Sequence, residues 1–445
     1  MASKLKPCKF AEKCYRKNPD HLKEYSHPKR KGEEVKSRLS FDKDDKHEKP
    51  PKKLKTVESK KANTIDALFA KNVKKEATVE EKPVTNTTEE SESTSESFSA
   101  TDKPCSPGDE SGKSPQGKDE EDEATVESPC DVKENIKQKF LFEMPEDFYQ
   151  FWEFCKAENP AKPTDALKKD TGLQLVGPYD ILAGNHTGVD RNRHGRRPNF
   201  LLHWRYYYDP PEFQTVLKGD DKTQFHLGYF RDDPCEMPAF VAANSAAVDC
   251  IITPKGDNIF AAVSAVISDK LKAKDTDCGL ASRLKDLSER LNKCATKLGL
   301  SLEGKSKRMK ERDKKVVCKS FHKAGIVVPV DENEVGYREV PESPADLKKM
   351  FKKIADSKTD DERDKNYEDL QELITLIQFA NDECDYGEGL ELGMDLFCFG
   401  GSVFHSTILQ LLPLAYMLLN RPEFGKIIEA HLKDRRKGAD LSQIV

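Results

Sequence analysis

The sequence predicts an α+β fold: an antiparallel sheet with helices, followed by a more helical half, the whole preceded by a small zinc finger and a disordered linker. Three observations predict it. Between residues 172 and 241, short runs of aromatic and β-branched residues alternate with Gly, Pro and Asp, the signature of strands joined by turns. Beyond residue 259 the apolar residues recur at helical spacing. Before residue 135 periodic apolar residues are nearly absent, while two cysteines and two histidines crowd into the first thirty positions. The expected division is a finger over 1–30, a linker over 31–134, an α+β half over 135–298 and a mainly helical half over 299–445.

Taken in order, the first element is the segment PCKFAEKCYRKNPDHLKEYSHP. Cys8, Cys14, His21 and His27 offer two thiolates and two imidazoles, a donor set suited to tetrahedral zinc. So short and lysine-rich a segment cannot fold on apolar burial, so metal binding would supply its folding energy. The linker is dominated by Lys, Glu, Ser and Thr and has too little apolar surface to offset the entropy of ordering. Its basic clusters, Lys29-Arg30-Lys31 and Lys52-Lys53-Leu54-Lys55, fit a nuclear import signal or a solvated charge run. Ile65, Leu68 and Phe69 form a short apolar island that resembles a sliding-clamp-binding peptide without its leading glutamine. Ser106-Pro107, Ser114-Pro115 and Ser128-Pro129 are candidate phosphosites in an acidic tract.

Residues 145–157 predict a capped helix whose Phe148, Phe151, Trp152 and Cys155 share the core face. Strands are expected over 172–182, 199–208, 223–230, 239–241 and, interrupted by Gly325, 316–330. Helices are expected over 259–271, 280–298, 344–355, 362–380 and 404–419. The run Trp204-Arg205-Tyr206-Tyr207-Tyr208-Asp209-Pro210-Pro211 would end a strand sharply; its aromatics and arginine also suit nucleic-acid stacking.

Charged residues make up 34% of the 445-residue chain and hydrophobic residues only 36%, a polarity concentrated before residue 135. The net charge of −5 is uneven, with a basic stretch over the first sixty residues that suggests an anionic partner. Twelve scattered cysteines lack the spacing of a secreted disulfide scaffold, so they are expected reduced, mostly buried or metal-bound. No signal peptide is apparent, and the longest apolar block, 408–419, is too short for a membrane and contains Pro413.

The stretch that carries the chemistry is Phe379-Ala380-Asn381-Asp382-Glu383-Cys384-Asp385-Tyr386-Gly387, an acidic turn between two apolar segments. Three carboxylates within four residues repel, so at least one should bind its proton more tightly unless solvent or a cation intervenes. Such a turn can hold a general base, a metal ligand or a partner contact, or simply be solvated. A self-contained enzyme is not indicated: no dinucleotide or phosphate-binding glycine loop and no nucleophile elbow is present. Cys398 and His405 could form a nucleophile pair or be buried structural residues.

The words NDECDYGEGLELGMDLFCFG, MPEDFYQFWEFC, GLQLVGPYDILAG, LHWRYYYDPPEFQTV, RDKKVVCKSFHKAGIVVPVD and VGYRE together resemble the histone PARylation factor family, accessory subunits of nuclear poly(ADP-ribose) polymerases. The likeness covers roughly residues 135–440. It implies an accessory factor that docks on the polymerase catalytic domain and redirects ADP-ribosylation to serine on histones in the DNA damage response. It implies that Glu383 is the base, that Asp382, Arg338 and Tyr337 serve the partner interface, and that the polymerase, not this chain, binds NAD. Nothing resembles the NAD-binding residue set of the transferases themselves. Cys14-Tyr15-Arg16 and His27-Pro28 resemble the poly(ADP-ribose)-binding zinc finger, which implies zinc on the four ligands and ADP-ribose contacts from Phe10, Tyr15 and Arg16. Ala11 stands where that finger usually has Gly. The partners implied are the polymerase, histones and poly(ADP-ribose), with no membrane, in the nucleus at chromatin. A reader or scaffold without a catalytic residue is the alternative.

Overall fold

Strands β3 (Gln174–Leu175), β4 (Phe213–Lys218), β5 (Phe225–Phe230), β6 (Phe240–Ser245) and β7 (Thr253–Gly256) form one antiparallel sheet in sequence order. The structure is a computed structural model that describes residues 6–7, 25–26, 129–274 and 276–445. Apart from the sheet, β1 (Lys6–Pro7) and β2 (Tyr25–Ser26) pair in parallel. Residues 31–128 of the linker and the four cysteine and histidine positions of the finger lie outside the described residues, whereas 132–134, expected as linker, already belong to the helix Val132–Phe140.

One face of the sheet packs on helices. These are α1 (Val132–Phe140), α2 (Glu146–Glu158), α3 (Lys168–Thr171), α4 (Pro178–Leu182), α5 (Ile259–Lys272) and α6 (Cys278–Leu298). Val216, Leu227, Tyr229 and Val241 from the strands meet Phe148, Phe151, Phe260 and Leu287 in the first core. Phe151 and Phe260 meet edge to face at 5.1 Å. Asn258 caps α5 and Asp277 caps α6 through backbone N–H groups two or three positions inside each helix. The expected aromatic stripe of α2 is buried, but Pro145 provides no side-chain cap.

The opposite face carries a smaller cluster of Phe213, Phe230, Phe240 and Met309, the last from α7 (Lys307–Asp313). The second core gathers α8 (Pro344–Ala355), α9 (Asp360–Asp382), α10 (Tyr386–Phe399), α11 (His405–Leu418) and α12 (Pro422–Lys433). Phe142, from the first half of the chain, also enters it and meets Phe424 at 5.7 Å. Tyr416 donates to Glu212 at 2.9 Å, and Arg435 donates to the carbonyls of Tyr207 and Phe397, both at 2.8 Å, tying the halves together.

Several expected strands are not strands. Of 172–182 only Gln174–Leu175 pairs, because Gly177 at φ +66° and Pro178 turn the chain into α4. Residues 199–208 are turns. Trp204 sits at φ +57°, and Asp209 draws the chain into a buried polar knot: it accepts from the Tyr206 N–H, the Thr215 hydroxyl and His226. Arg205 fills that knot by donating to the carbonyls of Leu201, Pro210 and Phe213. The rings of Tyr206 and Tyr207 are buried, so this run is no stacking platform. Within 316–330 only Cys318 and Ile326 bridge; left-handed Ser320, Lys323 and Gly325 break the rest.

Candidate functional site

The acidic stretch is a helix reversal. Helix α9 ends in a Schellman motif: the N–H of Asp385 bonds the carbonyl of Ala380 at 2.9 Å, and that of Cys384 bonds Asn381 at 3.0 Å. Cys384 occupies the left-handed position, φ +64°, where Gly is usual. Asp382 closes the helix, Glu383 caps it, and Tyr386 opens α10 three residues later. Carboxylates at a helix C-terminus lie against the negative end of its dipole, and the last turn of α9 contains no basic residue to offset them.

The compensating cation comes from elsewhere in the chain. One guanidinium nitrogen of Arg338 donates to both the Glu383 carboxylate and that of Asp385, the latter at 2.7 Å. This pairing is largely shielded, with side-chain exposures of 13% for Arg338, 20% for Glu383 and 6% for Asp385. Burial works against the charge on Arg338, but its carboxylate partners outweigh that and raise its pKa. Charge-assisted bonds of this kind are the strong ones.

Arg338 is aimed by a tight turn. Asp331 accepts from the N–H groups of Asn333 and Val335, both at 2.8 Å. Gly336, at φ +130°, lies so close to Pro329 that a Cβ would stand 2.1 Å from its carbonyl oxygen. Gly336 then locks onto the acidic turn twice. Its N–H donates to Asp385 at 3.0 Å, and its carbonyl accepts from Gly387 at 2.9 Å. Any side chain at Gly387 would meet the Tyr337 ring at 2.9 Å.

Of the predicted site residues, the structure therefore brings Glu383 and Arg338 together. Asp382 is exposed beside them. Tyr337 has its hydroxyl turned inward, donating to Glu391 at 2.8 Å. Cys8, Cys14, His21, His27, Phe10, Tyr15 and Arg16 lie outside the described residues.

Sequence reasoning gave no role to Asp385, which receives both Arg338 and Gly336, and missed Glu388. Glu388 is 1% exposed, and one of its carboxyl oxygens lacks a hydrogen-bond partner. Burial pushes its pKa up to about 8; Arg338 pulls the other way, while Asp385, Glu391 and Glu383 add to the rise. The proton expected to be retained near the acidic turn thus resides on this neighbour. Three acidic residues, Glu388, Glu391 and Asp395, inside the apolar-rich block 386–399 were its sequence signal.

The cysteine expectation needs correction: Cys130, Cys235, Cys278 and Cys384 are exposed. Cys398 is buried against the thiol of Cys250, and His405 has an imidazole nitrogen without a partner, so no Cys–His pair forms. Among the described residues no helix is long and apolar enough to cross a membrane.

The chain is similar to known proteins along nearly the whole of this body. Residues 131–435 match the family described as Histone PARylation factor 1, and residues 5–30 match the PBZ domain. The chain is 54% identical over 319 residues to Histone PARylation factor 1 of Mus musculus, spanning 70% of this chain and 89% of that protein. The protein of the same name from Bos taurus is 52% identical over 316 residues, 71% of this chain and 90% of the relative. That of Danio rerio is 52% identical over 305 residues, 68% and 86% respectively. With the family's description spanning the whole body from α1 to the last residues of α12, this chain belongs to the histone PARylation factor 1 family.

Proposed function

We propose that the chain docks on the catalytic domain of a poly(ADP-ribose) polymerase and contributes Glu383 as a general base that directs ADP-ribosylation to serine on histones. The observation that carries this reading is the Arg338 clamp. It fixes a partly accessible carboxylate at a helix end, anchored through Asp385 to a rigid turn. A serine hydroxyl is a poor nucleophile at neutral pH and needs its proton removed as it attacks. In the proposed step the serine oxygen bonds to the anomeric carbon of NAD held by the polymerase. The bond to nicotinamide breaks, and the hydroxyl proton passes to Glu383. Arg338 holds that carboxylate in place beforehand. Asp382, exposed on the same turn, suits a contact with the polymerase, with Arg338 and Tyr337 bracing the interface. The chain is no enzyme by itself.

The PBZ match supports zinc on Cys8, Cys14, His21 and His27, a donor set that fits the metal, and poly(ADP-ribose) contacts from Phe10, Tyr15 and Arg16. The setting is the nucleus, at damaged chromatin. The same match favours a second reading, in which the chain only reads the polymer and scaffolds the polymerase. Reconstitution with polymerase, NAD and a histone peptide separates the two. Glu383→Gln keeps the shape of the side chain but cannot accept the proton. It should still bind the polymerase yet lose serine modification by about 100-fold or more, the usual worth of a positioned base. Asp382→Ala should weaken docking and recover at higher concentration. Wild-type serine modification by saturating Glu383→Gln would leave the scaffold reading.

A further inference from the structure

The loop over residues 190–197, DRNRHGRR, is a rigid carrier of charge. Asn192, only 9% exposed, folds it from inside. Its side-chain oxygen accepts from the N–H groups of His194 at 3.0 Å and Arg196 at 3.2 Å, and its own N–H donates to the Arg196 carbonyl at 2.8 Å. Gly195 makes the turn at φ +72°. Arg191, Arg193, Arg196 and Arg197 are left on the surface.

The C-terminal segment is bound alongside. Arg193 pairs with Asp440, and Arg196 lies 3.6 Å from Asp434, which also takes Arg436. The Trp204 N–H donates to the Leu441 carbonyl at 3.1 Å, and the Gln443 N–H donates to His203 at 2.9 Å, so the segment is held down. Residues far apart in sequence thus form one surface. Together with Lys433 and Lys437, exposed next to Asp434 and Arg436 in sequence, it holds seven cations, the others being Arg191, Arg193, Arg196, Arg197 and Arg436, against Asp190, Asp434 and Asp440, in a chain whose net charge is −5.

We propose that this surface binds the phosphate backbone of duplex nucleic acid. Five of the seven cations are arginines, whose planar fork matches a phosphate better than an ammonium does. Single-strand binding would need open aromatic faces on which bases stack. The rings nearest the patch are already covered: Trp204 by Lys218 at 5.0 Å, Phe200 by Lys139 at 5.3 Å, and Tyr207 by Arg435 at 3.9 Å. A patch of arginines in which the exposed His194 ring is taken up by Arg193 reads backbone charge and not sequence.

The test uses the full chain and a fluorescent duplex of random sequence, followed by anisotropy across a salt series. Every variant keeps the basic N-terminus, so its contribution cancels. Combining Arg196→Gln, Lys433→Gln and Lys437→Gln should weaken binding at low salt about tenfold. It should also reduce the slope of log affinity on log salt by about two to three, near 0.9 for each phosphate no longer neutralised. Asp440→Asn, which removes a surface carboxylate and no packing, should tighten binding severalfold. Wild-type affinity and slope in both variants overturns the proposal. So does loss of free poly(ADP-ribose) binding with duplex binding unchanged, or displacement of the duplex by an acidic peptide of equal charge at comparable concentration.

Discussion

At the scale of single residues, the site is an electrostatic problem solved by one guanidinium. Three carboxylates, Glu383, Asp385 and Glu388, converge on Arg338; two remain in direct contact with it, and the third is buried with a raised pKa. The consequence for stability has a definite sign. In the unfolded chain a glutamate binds its proton only below about pH 4.5, whereas folded Glu388 holds it up to about pH 8. Between those values the folded state carries the extra proton. The contribution is therefore fully present below pH 4.5, declines as pH rises and is gone above pH 8. Asp395 and Glu212, each pushed up to about 7 by burial, act in the same direction and are spent about a unit earlier. Buried His322 and His431, neutral when folded, oppose this trend until unfolded histidine has lost its proton near pH 6.5. Above that, from pH 7 to pH 9, wild-type stability should fall, and Glu388→Gln should flatten that fall. Denaturant unfolding across this range checks it, and parallel curves for the two proteins would contradict the assignment. Glu383, Asp382, Arg338 and Tyr337 attract attention in the sequence because they stand in contiguous words, and the structure brings Glu383 and Arg338 into contact. Asp385 and Glu388 were not given roles, because their importance lies in facing Arg338, which local sequence does not reveal.

At the scale of elements, α2, α5, α6, α8, α9 and α11 could be read, whereas α1, α10, α12 and most strands could not. The stripes of α2 and α9 repeat often enough to identify themselves. The Trp204–Pro211 run has strand composition, yet a buried aspartate and arginine satisfy its backbone locally, so composition misleads there. The break between α9 and α10 falls where no glycine stands. Cys384 holds a left-handed conformation that costs a side chain about 1–2 kcal/mol, partly offset for glycine by its greater entropy when unfolded. Cys384→Gly should therefore stabilise the chain by about 0.5–1 kcal/mol. The same change removes the thiol that sits against the Tyr386 hydroxyl. Thermal unfolding decides the sign, and a lower melting temperature would mean that this thiol contact outweighs the backbone strain.

At the scale of the molecule, the two halves are parts of one cooperative unit. Phe142 lies in the second core, Tyr416 reaches Glu212, and Arg435 is clamped between the Tyr207 and Phe397 rings, each at 3.9 Å. Residues 129–445 should melt in a single transition, and a fragment ending at residue 298 should expose Phe142 and aggregate. Calorimetry of the body and solubility of the fragment check this; two resolved transitions would separate the halves. Phe142 has a further consequence, for synthesis on the ribosome. The first core draws on residues 136–302 and can close while the remainder is still being translated. Phe142 emerges with it, but its partner Phe424 is added about 280 residues later. At about 5–20 residues per second, that ring waits for tens of seconds without its pocket. The newborn chain thus carries an unburied aromatic while the second core is still being made, a natural handle for a chaperone, and the acidic turn acquires its finished surroundings only once α12 has followed.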